Sequence, residues 1–271
     1  MSRLDIAGRV AVVTGAAGGI GRAIARSLAR RGCHLAIADV DERGLAETER
    51  LASTAGVTIT GHVLDVTDAS ALAALPAAVI AAHGRTDILV NNAGVALGGT
   101  FEQVSADDFE WVVNVNFWGV VRMTRAFLPL LHTSDDARLV NLSSLFGLVA
   151  PPGQAAYCAS KFAVRGFSES LRKELVSTRI GVTVVHPGGV ATGIAKNARR
   201  PVGTNAVDVE REEQRFERLL RMPPEKAGEI IVSGVERRRD RILVGSDAKV
   251  AALIERLMPV SYWKLLGRSA Q

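Results

Sequence analysis

Apolar residues in this chain gather into short unbroken runs, separated by longer stretches in which they recur every three or four positions. The runs are Arg9–Thr14 (RVAVVT), His34–Ala38 (HLAIA), Val57–Val63, Ile88–Val90 (ILV), Arg138–Leu142 (RLVNL), Val182–Val185 (VTVV) and Arg241–Val244. A strand wetted on one face alternates apolar and polar side chains. A run apolar at consecutive positions needs cover on both faces, as parallel strands do. Helical periodicity fills the intervals, for instance Ile20–Arg31 and Leu45–Ala55. The alternation predicts an α/β fold over residues 1–271: one Rossmann-like, doubly wound parallel sheet of about seven strands with helices on both faces. Gly193 to Pro224 breaks the rhythm, being rich in Arg and Glu and lacking a strand. A loop of that length inside a compact domain is usually functional or mobile.

Composition narrows the picture. Aromatic residues are only 5% of a chain that is 48% hydrophobic, so the core is built mainly of Ala, Val, Leu and Ile. The net charge of +5 is spread out. Its densest run, Arg237-Arg238-Arg239, stops at Asp240 and has no interleaved aromatics, which fits a solvated helix end and not a nucleic-acid surface. The two cysteines, Cys33 and Cys158, offer neither a disulfide framework nor metal spacing, and a reducing compartment follows as the simplest expectation. His34, His62, His83 and His132 show no ligand spacing, and His186 reads as structural; no metal site is expected. With no apolar signal core and no run near the roughly 18 residues of a membrane span, a cytoplasmic location is expected.

Chemistry enters at the first strand–helix turn, Thr14-Gly15-Ala16-Ala17-Gly18-Gly19-Ile20-Gly21. Glycines there let the backbone turn sharply and approach a pyrophosphate, whose charge a helix N-terminus stabilises. The spacing is not the common G-x-G-x-x-G, but the turn follows a strand and opens a helix, as a nucleotide site requires. The second strand ends in Asp39, whose carboxylate can accept from the 2′- and 3′-hydroxyls of a ribose and would repel a 2′-phosphate. NAD is therefore preferred to NADP. Further along, Tyr157 and Lys161 stand four residues apart, on one face of a helix. Taken alone, that pair is either an acid–base device or a packed aromatic beside a solvated lysine.

The order of motifs from about residue 5 to 250 resembles the short-chain dehydrogenase/reductase family. Thr14, Gly15, Gly19 and Gly21 match its T-G-x-x-x-G-x-G turn, and Asn91-Asn92-Ala93-Gly94 its N-N-A-G motif. Asn116, Ser144, Tyr157 and Lys161 match its catalytic set. The resemblance implies an enzyme moving a hydride between nicotinamide and a CH–OH or C=O group. Gly15, Ala17, Gly18, Gly19, Ile20 and Gly21 would hold the phosphates, Asp39 and Val40 the adenosine ribose, and Asp65 and Val66 the adenine. Asn92, Ala93 and Gly94, with Pro187, Gly188, Val190 and Thr192, would border the nicotinamide half. Gly18 and Val40 stand where NADP-using members often carry arginine, which again favours NAD.

The tyrosine–lysine pair then acquires a role. A free phenol near pKa 10 is a poor base at neutral pH, and an adjacent ammonium lowers that pKa. Lys161 is expected to do so for Tyr157, the general acid/base, and to bond the nicotinamide ribose. Ser144, which the family's usual serine-to-tyrosine spacing of thirteen favours over Ser143, is expected to polarise the substrate oxygen. Asn116 holds a water linking Lys161 to solvent. Leu97, Leu145, Phe146, Leu148, Val149, Pro151 and Pro152 favour a lipophilic alcohol or ketone, with plain core packing as the other reading. Residues 193–224 resemble the family's substrate lid, where Lys196, Arg199, Arg200 and Arg211 can meet an acidic tail or simply face water.

The helices expected over Phe109–Leu131 and Tyr157–Val176 carry surplus apolar surface, which with the resemblance implies a homodimer or homotetramer. The amphipathic stretch Val250–Leu266, broken at Pro259, suits packing on the domain or a partner subunit, with a membrane surface as the alternative. Two rival functions remain: an NADP(H)-dependent carbonyl reductase, and a redox sensor that binds a dinucleotide without turning it over.

Overall fold

The computed structural model describes residues 3–53, 56–201 and 220–267. Seven strands form one sheet in the order β3-β2-β1-β4-β5-β6-β7, every neighbouring pair parallel. They are β1 (Val10–Thr14), β2 (His34–Asp39), β3 (Ile59–Val63), β4 (Ile88–Asn91), β5 (Ala137–Leu142), β6 (Ile180–Pro187) and β7 (Arg241–Val244). Consecutive residues of β1 serve opposite faces. Ala11 and Val13 pack with α1 (Gly19–Ala29), α2 (Glu42–Ala52) and α7 (Pro224–Glu236). Val10 and Val12 pack with α3 (Ala69–His83), α5 (Gly119–Thr133) and α6 (Ala155–Glu174). Both faces are covered, which is why the strands read as unbroken apolar runs.

Some boundaries differ from the sequence reading for local reasons. β3 begins at Ile59, not Val57, because the ladder starts at the Leu35–Ile59 pair and the Thr58 N–H goes to His34 Nδ1. α2 starts early because the Asp41 carboxylate caps the Gly44 N–H. The helix expected over Phe109–Leu131 is three pieces: α4 (Ala106–Val113), a π-helical turn over Asn114–Trp118, and α5.

The expected lid lies partly outside the described residues, as does its Arg211. Its described parts are tied down by a parallel bridge between Leu97 and Arg199 and another between Val190 and Met222. The C-terminal stretch folds as α8 (Ser246–Leu257) and α9 (Trp263–Leu266). Tyr262 and Leu266 pack on Leu148 and Val149. Among the described residues no helix is long and apolar enough to cross a membrane, and no group of His, Cys, Asp or Glu is placed to hold a metal ion.

Candidate active site

The candidate residues collect at the C-terminal edge of the parallel sheet: the glycine turn, Asp39, Asp65, Asn92–Gly94, Ser144 and Pro187–Thr192 follow strand ends there, Tyr157 and Lys161 lie in the first turns of α6, and Asn116 lies in the π-helical turn between α4 and α5. β1 ends in the glycine turn. Gly15 has φ +65°, and a Cβ on it would come within 2.7–2.9 Å of Asn92 and Ala93. A Cβ on Gly21 would lie 2.0 Å from the Gly15 carbonyl oxygen, so the turn exists only without side chains there. Gly18, the N-cap of α1, supplies no side-chain cap, which leaves the amides of the first helical turn available to an anion. A dinucleotide pyrophosphate fits this cradle.

The neighbouring motifs hold the cradle in shape. The Asn92 amide donates to the carbonyls of Thr14 and Gly15, 2.9 Å each, and Thr14 Oγ1 accepts the N–H groups of Asn92 and Ala93. Asp39 Oδ2 accepts the Ala17 N–H at 2.9 Å and Oδ1 the Asp41 N–H at 3.2 Å. Val40 beside it is 65% exposed. The Arg22 guanidinium is tucked behind the turn, donating to Thr48 Oγ1 and to the carbonyls of Ala17 and Gly44. Asp65 closes its own turn by accepting from Thr67, while the Val66 side chain is buried.

Tyr157 and Lys161 follow the entrance of α6. Lys161 is 4% exposed; its Nζ donates to the Leu142 carbonyl at 3.3 Å and lies 5.7 Å from the centroid of the Tyr157 ring. Ser144 stands on the turn after β5, where its Oγ accepts the Phe146 N–H. The adjacent Ser143 is engaged elsewhere, donating to the Lys161 carbonyl at 2.8 Å. Phe146 meets Tyr157 edge to face, with ring centroids 6.2 Å apart.

Asn116 is fully buried in the π-helical turn. Its amide spans the backbone of Val95, accepting the N–H at 2.8 Å and donating to the carbonyl at 3.0 Å, and it also donates to Ser160 Oγ. A Cβ on Gly94 would sit 3.1 Å from Asn116 Oδ1 and 3.3 Å from Lys161 Nζ, so Gly94 is where the two approach. A π turn widens the helix by one residue and recurs at functional sites.

The electrostatics correct one expectation. Tyr157 is pushed up to about 12, not down: burial dominates, and hydrogen bonding to Ser144 works only partly against it. Burial brings Lys161 down to about 8. Each group resists its charged form because each is desolvated.

The cavity above these groups has a volume of about 350 Å³. Its apolar wall includes Ala96, Leu97, Leu145, Phe146, Ile194 and Leu220, and its polar border includes Gln154 and Asp247. Leu148 and Val149 instead pack beneath the C-terminal helices and do not line it. Sequence reasoning missed Gln154 and Asp247. Asp247 follows the last strand, where the strand-end rule would have drawn attention to it, and its Oδ2 accepts the Gly189 N–H at 2.6 Å. Arg199 also has a defined place: its guanidinium stacks 3.6 Å from the Trp111 ring centroid and pairs with Asp108 at 3.2 Å. The Arg199 backbone bonds to Ala96 and Gly98, closing one side of the cavity.

The topology and the glycine cradle define a dinucleotide-binding Rossmann fold. The family model for short chain dehydrogenases matches residues 9–203. The chain belongs to the short-chain dehydrogenase/reductase family and is an oxidoreductase of that family. It is 45% identical to the oxidoreductase SadH of Mycobacterium tuberculosis over 263 residues, 96% of this chain and 94% of SadH. Among solved structures it resembles a short-chain dehydrogenase/reductase from Burkholderia phymatum in complex with NAD, with TM-score 0.86, 31% identity, and 94% and 95% of the two chains covered. A metagenomic short-chain oxidoreductase in complex with NADP aligns with TM-score 0.71 and 30% identity, over 89% of this chain and 98% of that one.

Proposed function

We propose that the protein transfers a hydride between NAD(H) and a lipophilic secondary alcohol or ketone, with Tyr157 as general acid/base. The observation that carries this reading is the convergence of Tyr157, Ser144 and Lys161 on one cavity whose remaining wall is mostly apolar. Bound at the glycine turn, the dinucleotide supplies or accepts the hydride. Asp39 and the exposed Val40 favour a free ribose over a 2′-phosphate. The commitment of Arg22 to Thr48, Ala17 and Gly44 supports the same preference, since it leaves that guanidinium engaged behind the turn.

The chain's own groups handle the proton. Tyr157, near 12, is a neutral phenol at pH 7 and donates to a carbonyl oxygen as a ketone is reduced. Lys161, near 8, is still largely an ammonium at that pH and stabilises the phenolate left behind. The Ser144 hydroxyl donates to the same substrate oxygen and holds it against Tyr157. Asn116, across Gly94 from Lys161, fixes the loop that carries Gly94 and Val95. Alcohol oxidation needs the phenolate, so its rate climbs as pH rises from 6 to 9. The exposed Trp118, Phe162 and Val176 support a homo-oligomer built on the helices around α5 and α6.

The test is a titration with NADH and NADPH, followed by nicotinamide absorbance against a panel of lipophilic ketones and alcohols. Tighter NADH binding with turnover of a panel member supports the proposal. Preference for NADPH overturns the reading of Asp39. Tight NADH binding without any turnover shifts the assignment to the redox sensor.

A further inference from the structure

The polar side chains bordering the cavity are almost all committed to the protein. The Asn92 amide donates to Thr14 and Gly15, Ser143 donates to Lys161, and Lys161 donates to Leu142. Thr192 accepts from Ile194, and Asp247 accepts from Gly189. Ser144 Oγ accepts the Phe146 N–H, and Ser144 and Tyr157 line the cavity together at the reacting corner. Arg200 has a partner of its own.

Gln154 is different. It occupies the N-cap position of α6, yet its side chain makes no capping bond; only its carbonyl works there, accepting the Cys158 N–H at 2.8 Å. The half-buried amide makes no hydrogen bond to any described side chain or backbone group. It lies over Gly98, where a Cβ would come 3.6 Å from its Nε2. Gln154 precedes Tyr157 by three residues, about one helical turn, and both side chains line the same cavity.

We infer that Gln154 is a specificity-determining residue that reads a second hydrogen-bonding group, a hydroxyl or carbonyl, on the substrate about one helical turn from the carbon undergoing hydride transfer. This inference rests on the proposed function and narrows its substrate class to difunctional lipophilic alcohols and ketones. An amide carries both a donor and an acceptor, and it faces walls of Leu97, Leu145 and Phe146 that offer neither. A monofunctional substrate leaves that amide without a partner when it displaces water, whereas a difunctional one satisfies it.

The experiment compares kcat/KM for matched pairs of ketones of equal carbon skeleton, with and without a second hydroxyl or carbonyl two to four carbons from the reacting centre. The wild type is expected to prefer the difunctional member by about 5–10-fold. Gln154→Leu brings that ratio to about one. Gln154→Glu, which accepts but does not donate, keeps the preference for a second hydroxyl and loses it for a second carbonyl. A purely structural role at the helix entrance would lower both members of each pair equally and leave the ratio intact, which overturns the inference. Turnover of the panel with no preference in the wild type also overturns it while leaving the proposed function standing. No turnover of any ketone overturns both.

Discussion

The two ends of the sheet treat buried polarity in opposite ways. At the N-terminal end Asp87 is fully buried and accepts from the Val10 N–H (2.9 Å), Ser134 Oγ (2.7 Å), Arg85 Nε (3.0 Å) and, more loosely, Arg9 (3.4 Å). Four residues from three segments converge on one carboxylate. At the C-terminal end Tyr157 is desolvated, the buried Lys161 ammonium has a single carbonyl acceptor, the first amides of α1 lack a side-chain cap, and the Gln154 side-chain amide has no partner among the described residues. The satisfied cluster joins β1, β4 and the segment before β5. The unsatisfied one holds groups in reserve for a ligand. Polar burial with its bonds complete secures a fold, and polar burial with bonds left open is where chemistry is prepared.

That contrast can be broken from either side. Tyr157→Phe is expected to lower kcat by about 10²–10⁴-fold, with the melting temperature little changed, because only one hydroxyl is lost and the ring keeps its contact with Phe146. Steady-state kinetics beside a thermal scan reads both. Asp87→Ala should do the reverse. Removing the hub leaves its donors uncompensated and costs about 3–5 kcal/mol in urea unfolding, while the fraction still folded keeps its kcat.

A third test uses a buried group just behind the site. His186 is fully buried in β6, its Nδ1–H donating to the Ser144 carbonyl at 2.9 Å while Nε2 has no partner among the described residues. Burial pushes it from 6.5 down to about 4. The folded value lies below the unfolded one, so the unfolded chain binds the extra proton between them. The stabilisation is complete above pH 6.5 and is lost as pH falls toward 4, amounting to about 3 kcal/mol. Urea unfolding at pH 7 and pH 4.5 should show a decline that is shallower in His186→Gln. His62 and His83, also held down by burial, add to the decline in both proteins. The smallest effect is expected at Arg199→Ala. Losing the stack on Trp111 and the half-exposed pair with Asp108 should cost about 1 kcal/mol, which appears as a KM raised about fivefold with kcat held within a factor of two.

Much of the molecule was present in the order of residues. Runs such as VAVVT and HLAIA demanded cover on both faces, and with helical intervals between them only a parallel, doubly wound sheet meets that demand. Local spacing likewise put Tyr157 and Lys161 on one helical face and glycines between a strand and a helix, since those relations lie within a turn or two of chain. The rest required distant segments to meet. Asn92 as the clamp of the glycine turn, Asn116 facing Lys161 across Gly94, and Asp247 on the Gly189 amide join residues remote in sequence. The sign of the Tyr157 shift was also decided in three dimensions. Sequence shows that a lysine is near, but only burial in the folded chain determines whether its charge or the loss of water prevails.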